Sequence, residues 1–485
     1  MQSSNIVRLQ IISALFFMLA APAFAKDDHD DDRDRGHNTN RLPNMFSSEN
    51  SHGKDATYST AGFIDLNNPF FKSIGTNGRS CASCHAPEQG WTITPKAVKK
   101  IFNKTQGLDP LFRLVDGANS PLADVTTIDK RRAAYSMLLN KANIRVGIGI
   151  PSGAEFELIE ADDPYGFASE TELSLFRRPM PTTNLKFLST VMWDGRETTL
   201  KPGSGDCIYG TSTCFSPVSF DLGTQANHAT LGHAEALRDL TNEERDAIVA
   251  FESGLFTAQI RDNDAGDLTE EDALGGPKVL TKQKYYFGIN DTLAGDYKTH
   301  KPFNPNVMSL YDSWNRFKAN KSPHSTKGAR AAIARGQALF NSKPIIIKNV
   351  KGINDDLGVS ELAGTCTTCH NTPNSGNHST PMPLDIGVAD ESRRTPDMPL
   401  YTLKNKTTGE IVKTTDPGRA LLTGKWKDIG RFKGPILRAV ASRPPYFHDG
   451  SAPDLQSVVE FYNTRFNIGL TESEKADLVA FLAAL

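Results

Sequence analysis

The residues best suited to chemistry are six cysteines that fall as three pairs. Two of the pairs lie in Cys81-Ala82-Ser83-Cys84-His85 and Cys366-Thr367-Thr368-Cys369-His370, each a C-x-x-C-H. With that spacing two thiols add across the two vinyl groups of one porphyrin, and the histidine that follows lies under the iron as its proximal ligand. A dithiol redox pair or half of a zinc site uses the same C-x-x-C. Two copies of the whole motif in one chain favour haem, and a zinc reading would need further cysteines. The third pair, Cys207 and Cys214, encloses a turn-rich stretch, Ile208-Tyr209-Gly210-Thr211-Ser212-Thr213. A small disulfide loop is its natural use, with a redox-active thiol pair as the rival.

The elements that would hold these motifs recur. Leu240-Thr241-Asn242-Glu243-Glu244 opens a stretch ending at Phe251 that parallels Leu470-Thr471-Glu472-Ser473-Glu474 and the stretch ending at Phe481. In both, Thr is the N-cap, Glu three residues on completes a capping box, and Ile or Leu, Val and Phe form one apolar stripe. Each copy closes a unit opened by a C-x-x-C-H, and an amphipathic helix over 328–340 precedes the second motif. The expected fold is mainly α: two cytochrome-c-like haem domains related by internal duplication, with long loops and a linker or insertion. The expected boundaries are 56–260 for the first domain, 261–327 for the Asp-, Gly-, Asn-, Lys- and Pro-rich linker or insertion, and 328–485 for the second.

Composition narrows the function. With 54 Lys and Arg against 56 Asp and Glu in 485 residues, the formal charge of −2 offers no general reason to bind nucleic acid. Residues 1–25 read as a secretory signal: Arg8, an apolar run from Leu9 to Ala21, then Ala23-Phe24-Ala25 before Lys26. Beyond it no apolar run approaches the ~20 residues of a bilayer span, so no stable membrane insertion is expected once the signal is removed. Residues 26–55 open with a charged run, Lys26 to Arg35, and read as a disordered acidic tail. The expected location is the periplasm, an oxidising compartment.

Further motifs give the chain a family resemblance. Phe70-Phe71-Lys72-Ser73-Ile74-Gly75 leads into the first C-x-x-C-H, and Met192-Trp193-Asp194-Gly195-Arg196 follows it. Asp416-Pro417-Gly418-Arg419, Phe432-Lys433-Gly434-Pro435 and Pro445-Tyr446-Phe447-His448-Asp449-Gly450 follow the second. In type and order these resemble the bacterial di-haem cytochrome c peroxidase and MauG superfamily, over about 60 to 260 and 328 to 485.

The resemblance implies two covalently bound haem c groups, attached through Cys81 and Cys84 and through Cys366 and Cys369, with His85 and His370 as proximal ligands. It implies that the N-terminal haem meets hydrogen peroxide and the C-terminal haem stores or relays the second oxidising equivalent, with Trp193 at the position between them. The family glutamine stands ten residues after the tryptophan and its glutamate ten further on. Here the first position is Gly203; allowing a 22-residue insertion around the third cysteine pair places Gln225 and Glu235 there. Glu235 is then expected to move a proton between the peroxide oxygens and Gln225 to orient them. A distal histidine found in some members falls on Ala229, which cannot ligate iron, although His228 and His233 flank it. Opposite His370, the residue fourteen after His448 is Tyr462, the tyrosine ligand of the MauG-like branch, with Met382 and Met398 as alternatives. The family calcium would draw on carbonyls at Arg443 and Pro445, but its upstream asparagine is Arg178 here, which argues against it.

The leading expectation is a periplasmic di-haem oxidoreductase of the peroxidase or MauG-like kind, closer to the tyrosine-ligated branch. It would be served by an electron-donor protein, a c-type cytochrome or cupredoxin, or act on a protein substrate. The alternatives are a non-catalytic di-haem electron carrier and a haem oxygenase-type relative that cleaves a polymer.

Overall fold

The two capped stretches fold as the sequence predicts. Asn242–Ser253 and Glu472–Ala483 are α-helices, and in each the N-cap threonine and the glutamate three residues later bond each other's backbone amides. Their packing differs. Glu472–Ala483 lies against the long helix Thr326–Ser342, and Gly336 is what lets the two backbones meet. A Cβ at that position would stand 1.9 Å from the Asp477 carbonyl oxygen. Beside this contact Arg335 pairs with Asp477 at 2.7 Å. Asn242–Ser253 packs instead on Val218–Gly232 and on the single 3-10 turn Pro69–Phe71. There Phe70, Phe71, Trp91 and Phe251 meet with ring centroids 5.1 to 6.0 Å apart.

A computed structural model describes residues 40–319, 322 and 325–485. The expected signal at 1–25 and residues 26–39 of the expected tail lie outside the described residues. Residues 40–55, also expected in that tail, are largely strand: Arg41–Pro43 pairs with Phe63–Asp65, and Phe46–Asn50 pairs with Gly53–Ser59.

The fold is not mainly α. Among the described residues eleven α-helices stand beside fifteen strands, about 30% helix and 19% strand. The largest sheet runs Gly266–Asp267, Leu255–Asp262, Gly53–Ser59, Phe46–Asn50, all antiparallel. A three-stranded sheet sets Phe156–Asp162 beside Leu400–Asn405, which also pairs with Ile411–Thr414, so strands distant in the chain complete one another. Helical periodicity in the repeats carried the expectation, whereas these strands find their partners far away along the chain.

Among the described residues, the α-helix before the second motif has no α-helical counterpart before the first. In its place are the strand Gly53–Ser59, held by Leu255–Asp262, and the 3-10 turn that Pro69 begins and Asn68 caps. The stretch 261–327, read as a linker or insertion, is packed into the core of the second half. Tyr311 and Trp314 are fully buried and stacked at 4.8 Å, and the Tyr311 hydroxyl donates to the Ala484 carbonyl at 2.5 Å.

Candidate functional site

Both C-x-x-C-H motifs are built as one 3-10 turn, Cys81–Ser83 and Cys366–Thr368. Each is locked by a hydroxyl three residues after its cap. Ser83 Oγ accepts from the Ser80 amide at 3.1 Å and Thr368 Oγ1 from the Thr365 amide at 3.0 Å. The histidines are then oriented alike. His85 Nδ1 donates to the Trp91 carbonyl at 3.2 Å and His370 Nδ1 to the Gly376 carbonyl at 2.5 Å. Trp91 and Gly376 both take left-handed backbone, with φ of 63° and 77°. A carbonyl partner requires the proton on Nδ1, which leaves Nε2 as the free lone pair, the arrangement of a ligating imidazole. Burial lowers both imidazoles to about 4, so they are neutral, as a metal ligand must be.

One cavity takes in both motifs, with Cys81, Cys84, His85, Cys366, Cys369 and His370 all on its largely apolar wall. None of the four cysteines is in a disulfide. Burial pushes the thiols of Cys81, Cys366 and Cys369 up to about 12 and that of Cys84 to about 11. A redox-active pair needs a depressed thiol pKa, which is the opposite of what this wall provides. Among the described residues no cluster of three or more His, Cys, Asp or Glu is placed to hold a metal ion by itself, against the zinc alternative. Cavity-facing thiols beside neutral imidazoles with Nε2 free fit covalent haem c at both motifs. Cys207 and Cys214 form a disulfide closing a two-residue-per-strand hairpin.

The first motif faces the helix Val218–Gly232. Leu222, Gln225, Ala226, Ala229, Thr230 and His233 recur at helical spacing and all line the cavity, so one stripe of this helix forms the wall. The helix presents small and amide side chains there, with no bulky cap at Ala229. His228 lies off the stripe, exposed, with Nδ1 3.1 Å from Glu197. His233, at the helix C-cap, donates from Nδ1 to Asp116 Oδ2 at 2.5 Å. Asp116 is buried and also accepts from Arg79 Nη1 at 2.5 Å. Burial would raise this carboxyl, but His233 and Arg79 hold it below the usual carboxylate range. Glu235 stands outside the cavity wall. It is exposed and its Oε2 accepts from Asn77 Nδ2 at 2.9 Å. Glu252, near Cys81, does line the cavity, is 4% exposed and its carboxyl has no hydrogen-bond partner among the described residues; burial raises it to about 8.

The second motif faces the helix Leu455–Arg465, whose Tyr462 lines the cavity near Cys366 and Cys369. Its phenol is pushed well above the ordinary tyrosine value, first by burial and then by those two cysteines. The hydroxyl has no hydrogen-bond partner among the described residues. A buried tyrosine ordinarily finds one, so an orphaned phenol aimed at this space suits a ligand. Met382 and Met398 are not part of the cavity wall, and Met398 is buried against Met137 and Phe176 instead.

No protein-family model matches the chain. Among curated proteins it is 32% identical over 132 residues to the cytochrome-c peroxidase IdrP2 of Denitromonas iodatirespirans, covering 25% of this chain and 36% of that protein. To the cytochrome-c peroxidase IdrP1 of the same organism it is 33% identical over 180 residues, 33% of this chain and 42% of the relative. The cytochrome c551 peroxidase of Nitrosomonas europaea is 27% identical over 253 residues, 50% of this chain and 65% of its own length. The chain is related to the bacterial cytochrome c peroxidases. Its matches span from about a third to about two thirds of these relatives' length. A solved MauG-like protein associated with microbial copper homeostasis aligns over 86% of each chain at 16% identity, with a TM-score of 0.36, too low for its geometry to be compared.

As a cytochrome c peroxidase relative the chain is notable for what surrounds Trp193, which lines the same cavity as both motifs and donates from Nε1 to the Arg178 carbonyl at 2.8 Å. Next to it, Asp194 and Asp416 clamp Arg177 at 2.6 and 2.7 Å, all three nearly inaccessible. Burial alone would raise Asp194, but Arg177 and Arg196 bring it down to about 2. This network ties the Trp-Asp-Gly-Arg loop to the Asp-Pro-Gly-Arg loop. The Arg178 guanidinium is buried and donates to the carbonyls of Ile93 at 2.9 Å, Lys141 at 3.0 Å and Arg443 at 3.4 Å. A side-chain cation is thus already seated on the Arg443 carbonyl, where the resemblance would put calcium.

Sequence reasoning missed Asp116 and Glu252 altogether, knew Arg79 only as part of the stretch leading into the first motif, and knew His233 only as a flank of Ala229. Asp116 carries no motif, and its pairing with Arg79, in the stretch that leads into the first C-x-x-C-H, spans 37 residues of chain. Glu252 carried a signal that went unread: a glutamate inside the apolar stripe of a capped helix.

Proposed function

We propose that this chain is an exported, periplasmic di-haem c oxidoreductase that reduces hydrogen peroxide or uses it to oxidise a partner. The observation that carries the reading is the single cavity walled by both motifs, whose two far sides differ: Gln225, Ala229 and His233 opposite one, Tyr462 opposite the other. Cys81, Cys84 and His85 would hold one haem within 56–260; Cys366, Cys369, His370 and Tyr462 would hold the other within 328–485. When bound, the haems supply an iron able to accept a peroxide oxygen and a second redox centre to share the oxidising equivalents.

The chain's own residues do the rest. Ala229 leaves the space above the first motif open, so no protein ligand need be expelled before peroxide enters. Gln225, whose side chain has no partner among the described residues, orients peroxide by hydrogen bonding. Glu235, exposed beside Asn77, exchanges protons with solvent at the mouth. Trp193, fixed by the Arg178 carbonyl and the Arg177 network, gives an aromatic step along the shared wall. Tyr462 closes the far side of the second site, which favours the oxidised state there, as a hard anionic oxygen donor does. Electrons come from a c-type cytochrome or cupredoxin, or from a protein substrate. Calcium is not needed where Arg178 sits.

The test is absorption and paramagnetic resonance spectroscopy of the oxidised holoprotein, before and after one equivalent of peroxide and without reductant. The expected result is one high-spin and one low-spin centre, both changing on peroxide addition. Silence until half-reduction would assign the conventional peroxidase cycle, and no response in any redox state would leave a carrier.

A further inference from the structure

We propose that His233 is the acid–base group inside the cavity, held in place by Asp116, which Arg79 anchors; this deepens the peroxide reading and rests on it. Gln225, Ala229 and His233 are spaced four residues apart on one helix stripe, so they face the same space above the first motif. The 2.5 Å bond to Asp116 puts the His233 proton on Nδ1 and leaves the Nε2 lone pair without a partner among the described residues, on a side chain that lines the cavity. Arg79 cannot swing away. Its Nε donates to the Pro110 carbonyl at 2.8 Å, Nη2 to the Leu111 carbonyl at 2.7 Å and Nη1 to the His233 carbonyl at 3.1 Å. The result is an imidazole oriented by a buried carboxylate, the pairing that serves general acid–base catalysis on many folds. A pair serving structure alone would have no reason to stand open on the cavity wall, and the His233 side chain is 40% exposed.

The other titratable groups around His233 do not compete for this role. His85 is neutral and has its Nδ1 committed to Trp91. Glu252 lies by Cys81, Arg79 is bound to Asp116, and the Glu235 carboxylate is turned to Asn77 outside the wall. In the step proposed, Nε2 takes the proton from one peroxide oxygen and returns it to the other. That oxygen leaves as water with the electron pair of the broken O–O bond. Two electrons from the donor protein and two protons from solvent, entering past Glu235, convert the remaining oxygen to a second water.

The experiment uses the holoprotein with H233Q, D116N and E235Q, and hydrogen cyanide as well as peroxide, since both must give up a proton to bind. H233Q is expected to leave the oxidised absorption spectrum high-spin at the first site and to slow association of both molecules about 100-fold. D116N is expected to slow both associations about tenfold with the high-spin spectrum kept and the rates largely restored in D116E, and E235Q to cost less than either H233Q or D116N. A low-spin wild-type centre that turns high-spin in H233Q would make His233 a ligand and overturn the proposal. So would an E235Q loss exceeding that of H233Q, or an H233Q cyanide rate within about twofold of wild type. If peroxide fails to react with the wild type at all, the peroxide reading falls, while the cyanide rates still decide the role of His233.

Discussion

The two C-x-x-C-H regions are alike on one side and unlike on the other. On the near side each is a hydroxyl-locked 3-10 turn followed by a histidine whose Nδ1 is tied to a carbonyl. On the far side the first meets a helix offering Gln225, Ala229 and an Asp-backed His233, and the second meets a helix offering a phenol without a partner. Attachment chemistry is local, set within a few residues. Reactivity belongs to whichever distant helix the fold brings opposite.

Breaking the near side should have the largest effect. Replacing Cys366 and Cys369 by serine is expected to halve covalent haem content, read by pyridine haemochrome absorbance against protein, with the first site's spectrum retained. The shared wall comes next. Asp416→Asn leaves Arg177 half-compensated in a buried site and should cost about 3–5 kcal/mol in denaturant unfolding.

The comparison sharpens at Glu252, which has no equivalent opposite the second motif, where the matching position is Leu482. Its carboxyl stays protonated in the fold to about pH 8, while in the unfolded chain it ionises near ~4.3. Folding stability therefore falls as pH rises across that window. Glu252→Gln should raise the melting temperature at pH 8 and leave it nearly unchanged at pH 4, by scanning calorimetry. Asp194 has the opposite sign. Its pKa is about 2 in the fold, so the stability it confers is complete above its unfolded value of ~3.9 and drains away as pH falls toward 2. Asp194→Asn should flatten that part of the acid-unfolding curve. The smallest stability change is expected for Tyr462→Phe in the haem-free chain, within about 1 kcal/mol, since the hydroxyl makes no hydrogen bond among the described residues. Its effect should appear in the spectrum of the second site alone.

The motif turns and the two capped helices were readable because capping boxes, C-x-x-C-H and apolar stripes are all defined within about a dozen residues. Gln225 and Tyr462 were reachable by counting along a family pattern, and both line the cavity. Counting failed to place Glu235 inside, because residue spacing along a helix ends with the helix: Glu235, two residues past the C-cap His233, takes a left-handed φ of 53° that turns the chain outward. The sheets escaped notice for a related reason. Strands such as Phe156–Asp162 and Leu400–Asn405 have partners more than two hundred residues away, and alternation alone does not name a partner.

What the sequence determined by itself is therefore the pair of C-x-x-C-H turns, their histidines and the helices that close each unit, all products of short-range hydrogen bonding and spacing. Only the tertiary structure decided that both open into one cavity, that the Arg178 guanidinium reaches the Arg443 carbonyl, and that Asp116 and Arg79 stand behind His233. Those are meetings of buried charges across long stretches of chain. They exist only where the fold removes water from both partners at once, and no local pattern encodes that.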